Sequence, residues 1–504
     1  MVDEFDDVDV VVVGGGFGGL VAAATAAERA KAVVVLEAGT RVGGTITLSS
    51  GLLHMFDAPS WEVFHATFPT VNPDLGKAMF EHFPEFMKWL GDDIGVPMAR
   101  VPLPVDSYGD PQRVPHGHIL GLSSRAAIAQ PVLKRLSTLA YAVLGDTYLR
   151  TLDRMLLRRL RQAVVDHLQA AAVTRGARFI VGTRVGTIVS EGDGRHRIEA
   201  VTPSGPISLR TRAVVLATGG FQGSSSLLTK HLGEGGKKAI CRAARTNTGD
   251  GLRLGQSLGG DLAGPMDRFY GLPMPVLPKP IDHEEDPIAL LSCSAYYAGS
   301  AVLVDRAGMR FVDEPAAAKH AEVAYAIAAE ADGECWAILD EVIETRFGRK
   351  GFGDGLLPPL ELIESARRRG ATVTVTQTLP ELIERLSEEG VDADGLSKTL
   401  EQYNQACRDG SASELSPPRT KKPLPISTAP FYAIKLVPGV SMTYGGLRID
   451  EQARVVDTSG EPLPGVHAVP GLAGGLYTQH YAGALAACGV FGRIAGQAAT
   501  PRAS

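Results

Sequence analysis

A β-branched apolar run from Val8 to Val13 stops at glycines spaced G-x-G-x-x-G: Gly14, Gly16 and Gly19. An alanine-rich stretch of helical composition, Val21 to Ala30, follows. A second apolar run, Ala32 to Leu36, then ends in Glu37. The pattern predicts strand, tight turn, helix, strand and acidic residue. In that order the glycines let the backbone turn and approach a pyrophosphate. The helix N-terminus offers unpaired N–H groups to the anion. Glu37 stands where a carboxylate accepts hydrogen bonds from a ribose. Dinucleotide binding is the favoured reading; a glycine-rich turn that only packs helix on strand is the alternative.

Further along, small residues recur in Gly39–Thr45, which includes Gly43, Gly44 and Thr45, and again at Ser49, Ser50 and Gly51. They suit a backbone running close to a bulky ligand; a mobile surface loop is the other reading. Residues 60–120 read as short helices and loops. Residues 121–176 look helical and basic, with Leu156, Leu157, Leu160, Val164 and Leu168 at helical spacing. A helix packed on the nucleotide sheet with a solvated basic face, Arg161 included, is favoured there. The alternative is a membrane-surface face through which an apolar substrate enters. Arg178–Val181 and Val185–Val189 read as strands, with Val185 near the adenine end of the nucleotide. A further strand is expected at Ile207–Leu209. Ala213–Leu216 then runs into Ala217, Thr218 and Gly219, a second strand-to-glycine approach to the same ligand. Thr246–Gly251, containing Asn247, Gly249 and Asp250, opens a helix that Thr248 or Asp250 could cap.

The proline-rich stretch 266–290 reads as a crossing into a second domain. Strand pieces such as Ala301–Asp305 alternate there with charged helices, Leu379–Glu389 and Leu396–Cys407. Ser411–Thr428 looks like a polar return linker. Strands at Phe431–Val437, Leu447–Asp450 and Arg454–Asp457 follow, and a helix from about Ala484 to Ala499 closes the chain. The expected division is 1–265, 266–426 and 427–504.

A chain of 504 residues can hold more than one domain, and 44% hydrophobic with 21% charged residues describes an ordinary globular composition. The net charge of -6 argues against nucleic acid as a partner. The five cysteines are scattered without C-x-x-C, which suits reduced thiols and provides no metal framework. His116 and His118 lack the companions a metal would need, so no metal site is expected. An acidic N-terminus unlike a signal peptide places the expected location in the cytoplasm. No apolar run reaches the roughly 18 residues of a transmembrane helix.

These stretches, taken in order, resemble the flavoprotein-subunit superfamily of succinate dehydrogenase and fumarate reductase. Gly308-Met309-Arg310-Phe311-Val312-Asp313-Glu314, Pro430–Ala433, Thr443–Leu447 and Val490–Gly496 extend the likeness over nearly the whole chain. Soluble 3-ketosteroid dehydrogenases and tricarballylate dehydrogenase-like members are the closer likeness. The resemblance implies an α/β fold: a Rossmann-like FAD-binding domain with an inserted α+β capping domain. It also implies hydride transfer between flavin N5 and carbon, a small-molecule substrate and an external electron acceptor or donor. Gly445, Gly471, Ala484 and Leu485 join the residues expected to line the FAD.

Three departures qualify it. The arginine that fumarate reductases carry four residues beyond R-F-V-[ND]-E as proton donor is Ala318 here. The closing segment, Gly475–Gly483, lacks their His and Arg. The A-G-E stretch reads Val469-Pro470-Gly471. Thr45 stands where respiratory members tether FAD through histidine, so the cofactor is expected to be non-covalent.

Tyr481-Ala482-Gly483 matches the Tyr-Pro-Gly of the steroid dehydrogenases, where the tyrosine holds the ketone oxygen. Oxidising a C–C bond beside a carbonyl needs such a donor, a base for the α-proton and a hydride acceptor. Tyr481, Tyr477, His480 and Tyr270 are the candidate catalytic residues. An apolar ketone such as a 3-ketosteroid is the first expectation. The alternatives are a small polycarboxylate and a flavin-binding protein without catalysis.

Overall fold

A computed structural model of the protein describes residues 3–49, 51–53, 58–102, 116–120, 130–192, 194–281, 283, 286–319, 322–350, 360–479 and 481–500. Ser50 and His480 lie outside this set.

The main sheet has eight strands among the described residues. Asp3–Val13 lies at its centre, parallel to Val33–Leu36 on one side and to Gly205–Leu216 on the other. Arg178–Ile180 and Pro462–Ala468 extend the parallel set on the two flanks. Valines at positions 10 to 12 and 33 to 35 are all buried, as expected of parallel strands covered on both faces. The acidic lead-in belongs to the first strand, which starts at Asp3. Ile207–Leu209 and Ala213–Leu216 are one twelve-residue strand. Its early part pairs with His196–Thr202, which pairs in turn with Arg184–Ser190.

The helix Phe17–Ala26 packs against the closing helix Ala484–Ala498, and small residues set their spacing. A Cβ at Gly492 would stand 2.6 Å from the Gly18 oxygen, and one at Gly496 2.5 Å from the Ala22 oxygen. The stretch expected to be one basic helix breaks at Gly145 and contains the helices Gln130–Leu144, Asp146–Leu152 and Arg158–Thr174. Val164 and Leu168 are buried as their spacing predicts. Arg161 is not solvated: it is buried, pairs with Asp153 and reaches the Ser49 oxygen. Exposed apolar side chains sit instead on the first of these helices, at Leu136, Leu139 and Val143.

Among the described residues a second, antiparallel sheet has five strands and its own hydrophobic core. Phe431–Val437 is its hub and pairs with Met274–Pro275, Cys335–Asp340 and Val373–Thr376. That strand lies beyond residue 426, the expected end of the inserted unit. The polar return stretch is packed rather than loose. Arg419 is buried and donates to the Ala301 and Ser300 oxygens. It also shares Glu314 with Arg310, so the R-F-V-D-E motif works here as a buried tie within the second unit. The two units join through a third sheet, in which Gly439–Thr443 lies between Ile240–Cys241 and Phe269–Gly271.

Candidate active site

Backbone geometry builds one half of the site. The first strand ends at Gly14, whose φ of +107° side chains rarely adopt. A Cβ there would stand 2.4 Å from the Ala217 oxygen, and one at Gly19 would stand 2.0 Å from the Gly14 oxygen. At Gly16 a Cβ would meet nothing within 4 Å. The loop is therefore closed beneath and open above, at a helix N-terminus whose N–H groups lack intrahelical partners. Gly43 N–H donates to the Gly15 oxygen at 2.7 Å, which lays Gly43 and Gly44 across the loop.

Glu37 fastens this turn. Its Oε2 accepts from Gly15 N–H and its Oε1 from Gly39 N–H, each at 2.6 Å. Its backbone bonds to Ile180 and Thr183, which brings the strand bearing Val185 alongside.

The other half comes from later segments. Ala217 N–H donates to the Val13 oxygen, continuing the sheet into Thr218 and Gly219. A Cβ at Gly219 would strike the Asn247 amide at 2.7 Å. Thr45 Oγ1 accepts from Ala244 N–H at 3.1 Å and from Asn247 Nδ2 at 3.4 Å. Ser49 Oγ accepts from Gly51 N–H. The helix Asp250–Ser257 starts from Gly249 without a side-chain cap. Neither Thr248 nor Asp250 caps it, because Arg184 engages both side chains. Gly445 lies against Met266, where a Cβ would come 2.4 Å from sulfur. A Cβ at Gly471 would stand 3.8 Å from the Gly219 Cα.

Thr443 Oγ1 and Gln222 Oε1 are buried without a hydrogen bond among the described residues. Both converge on Gly220, where a Cβ would meet them at 2.2 and 2.7 Å. Buried polar atoms are seldom orphaned. An open cradle at a helix N-terminus, a floor of small residues and two waiting polar atoms fit a dinucleotide cofactor.

The tyrosines gather at the far end. Tyr270 and Tyr481 stack with ring centroids 3.9 Å apart and planes 13° from parallel. Ala484 N–H, expected to face the cofactor, donates to Tyr481 Oη at 2.7 Å. The N–H groups that follow in that turn, Leu485 first, stay available to a ligand. Tyr477 is buried and donates to the Gly483 oxygen at 2.9 Å, holding the approach to the helix. Desolvation pushes Tyr270, Tyr477 and Tyr481 above the ordinary phenol pKa. Burial thus favours the protonated phenol at all three positions.

Sequence reasoning missed several neighbours. Arg242 reaches Ser294, Met274 and Ser441 beside Tyr270. Glu322 pairs with Arg268 at 3.6 Å, and burial raises its carboxyl pKa. Neither residue lies in a motif; chain segments far apart in sequence bring them in.

Fold and site together define a flavin-dinucleotide-binding oxidoreductase. Residues 9–490 match the family described as FAD binding domain. The chain belongs to that family, within the flavoprotein superfamily of succinate dehydrogenase and fumarate reductase. It is an FAD-dependent dehydrogenase or reductase acting on CH–CH groups. It is 28% identical to a 4-oxocyclohexanecarboxylate 2-dehydrogenase from Sinomonas cyclohexanicum, over 97% of this chain and 93% of that one. Identity to a fumarate reductase (cytochrome) from Shewanella frigidimarina is 25%, over 98% of this chain and 77% of that one. Two other curated relatives are longer: the chain spans 50% and 48% of them. Among solved structures, the 3-ketosteroid Δ1-dehydrogenase from Sterolibacterium denitrificans, in complex with 1,4-androstadiene-3,17-dione, shares the fold. Its TM-score is 0.73 at 22% identity, covering 98% of this chain and 99% of that one.

FAD bound in this cradle would supply the capacity to accept or give a hydride. Gly14–Gly19, Glu37 and the Thr45–Asn247 pair are the residues that would hold the dinucleotide. No helix among the described residues is long and apolar enough to cross a membrane.

Proposed function

We propose that the protein dehydrogenates a ring ketone at the C–C bond beside its carbonyl and passes the electrons to an external acceptor. The Tyr270–Tyr481 stack carries this reading. Two protonated phenols beside the closing helix suit a ketone oxygen that gains negative charge as the α-proton leaves. The Ala484 N–H bond to Tyr481 polarises that phenol's own O–H toward donation. The Sinomonas relative, named for a ring ketone, supports the same chemistry, and 3-ketosteroids are ring ketones of another size. The unit built on the second sheet serves as the cap, with Phe431–Val437 included in it.

Reduction of an activated alkene such as fumarate is the second reading, favoured by the Shewanella relative. It lacks the arginine that fumarate reductases use as proton donor, since Ala318 holds that position.

Anaerobic titration of the FAD-loaded protein with ring ketones tests the proposal. Turnover bleaches the flavin absorbance; a protein that stays yellow with every ketone and bleaches with none contradicts it. Tyr481→Phe is expected to keep its FAD and lose about two to three powers of ten in turnover. Parent-level turnover in that variant would reduce Tyr481 to packing.

A further inference from the structure

Arg242 lies near Tyr270, and no carboxylate among the described residues balances it. It follows the short strand Ile240–Cys241 and is half-buried. Its Nε donates to Ser441 Oγ at 3.3 Å, and its Nη1 donates to Ser294 Oγ and to Met274 Sδ at 2.8 Å. Every one of these acceptors is neutral. Nη2 has no acceptor among the described residues, and it is not sealed away as an orphaned buried atom. The titratable groups that act on the guanidinium are Tyr296, Tyr270 and Cys293. Desolvation pulls its pKa below the usual arginine value, and no described carboxylate opposes that shift.

The buried arginines are handled differently. Arg310 and Arg419 share Glu314, and Arg161 has Asp153. Even half-buried Arg268 has Glu322. A partly desolvated cation held, among the described residues, by hydroxyls and a thioether is incomplete, because its charge has lost water without gaining a counter-ion there.

We infer that Arg242 is the anchor for a carboxylate on the substrate, so that the protein selects a keto acid over a neutral ketone. This rests on the reading that Tyr270 and Tyr481 hold the ketone. The oxo group would then meet the phenols while the acid end meets Nη2, and the reacting C–C bond would lie between two polar anchors. A neutral steroid would leave the guanidinium against hydrocarbon. The ion pair would strengthen as the substrate excludes water from the site.

Binding separates this inference from the ketone chemistry. Cyclohexanecarboxylate and its uncharged counterpart, cyclohexanecarboxamide, are titrated into the oxidised, FAD-loaded protein by calorimetry. The parent is expected to prefer the carboxylate, and added chloride should weaken that binding. Arg242→Gln should bind the carboxylate about 10- to 100-fold more weakly while binding of the carboxamide is unchanged. Arg242→Lys should retain much of the preference. Equal affinity of the parent for the two probes would overturn the inference without any variant. So would undiminished carboxylate binding in Arg242→Gln that carries full FAD. Turnover of 4-oxocyclohexanecarboxylate and cyclohexanone is measured in parallel. Equal turnover of both in parent and Arg242→Gln would sink the anion site and leave the ketone reading standing. Flavin that bleaches with neither, despite Arg242-dependent carboxylate binding, would sink the ketone reading alone.

Discussion

Glu37 has a structural duty that a ribose ligand alone would not have. Replacing it with alanine removes both acceptors of the Gly15 and Gly39 N–H groups. Glu37 is buried, so those donors gain no ready replacement. An unpaired buried donor costs about 1–3 kcal/mol, so two cost about 2–6 kcal/mol. Water entering the vacated space would bring the loss toward the lower figure. Glu37→Gln keeps one acceptor oxygen and turns an amide NH2 toward the other backbone N–H, so about half the loss is expected. The assay is urea unfolding of FAD-stripped parent and variants, with hydrogen exchange followed in the segments around Gly15 and Gly39. The variants should unfold at lower urea, and both segments should exchange faster, with no cofactor present. An FAD-free Glu37→Ala protein that unfolds with its parent, and differs only in FAD affinity, would refute the reasoning.

Other tests address cofactor, cap and sheet. Acid precipitation should release free FAD, because Thr45 offers the flavin only a hydroxyl already bonded to Ala244 and Asn247; flavin fluorescence retained on a denaturing gel would count against this. Glu314→Ala strands the Arg310 and Arg419 charges in the interior, so a loss of roughly 3–5 kcal/mol is expected, and an unchanged urea midpoint would contradict it. Burial pulls the His467 imidazole down to about 4. Above pH 6.5 folded and unfolded states are both neutral there. As pH falls from 6.5 toward 4 only the unfolded chain binds the proton, so stability declines by about 1.4 kcal/mol per unit. Relative to His467→Gln, the parent should lose about 2 kcal/mol between pH 7 and pH 5; parallel profiles would show that another group governs acid sensitivity.

Local pattern carried much of this architecture. The run Val8–Val13, the spaced glycines and Glu37 sit within one strand-turn-helix-strand unit, so short-range rules reach them. Phe431–Val437 was legible as a strand but not as the hub of the second sheet, because its partners come from three distant segments. Arg419 lay in a stretch of prolines and lysines whose composition reads as solvated, and only the fold supplies Glu314. Arg242 is one of two arginines flanking Ala243-Ala244. Nothing in spacing distinguishes it from Arg245, and its character depends on which neutral groups reach it from Ser294 and Ser441. Tyr481 was found through a short likeness, but the bond it accepts from Ala484 was hidden in the geometry of a glycine turn.

The small sheet that joins the two units has a mechanical consequence. The outgoing strand Phe269–Gly271 and the returning strand Gly439–Thr443 are hydrogen-bonded to each other. At their pinch a Cβ on Gly271 would come 1.8 Å from the Gly439 oxygen. Two antiparallel strands locked in this way resist sliding more than bending, so any movement of one unit against the other would be a rotation about the pinch. Arg242 leaves the third strand of that axle, on the side of the FAD unit, and grips Ser294 and Met274 on the far side. Such a rotation would pull the guanidinium off two of its three neutral partners, and its reversal would restore them. The charge would then be most fully hydrated with the units apart and most in need of an anion with them together.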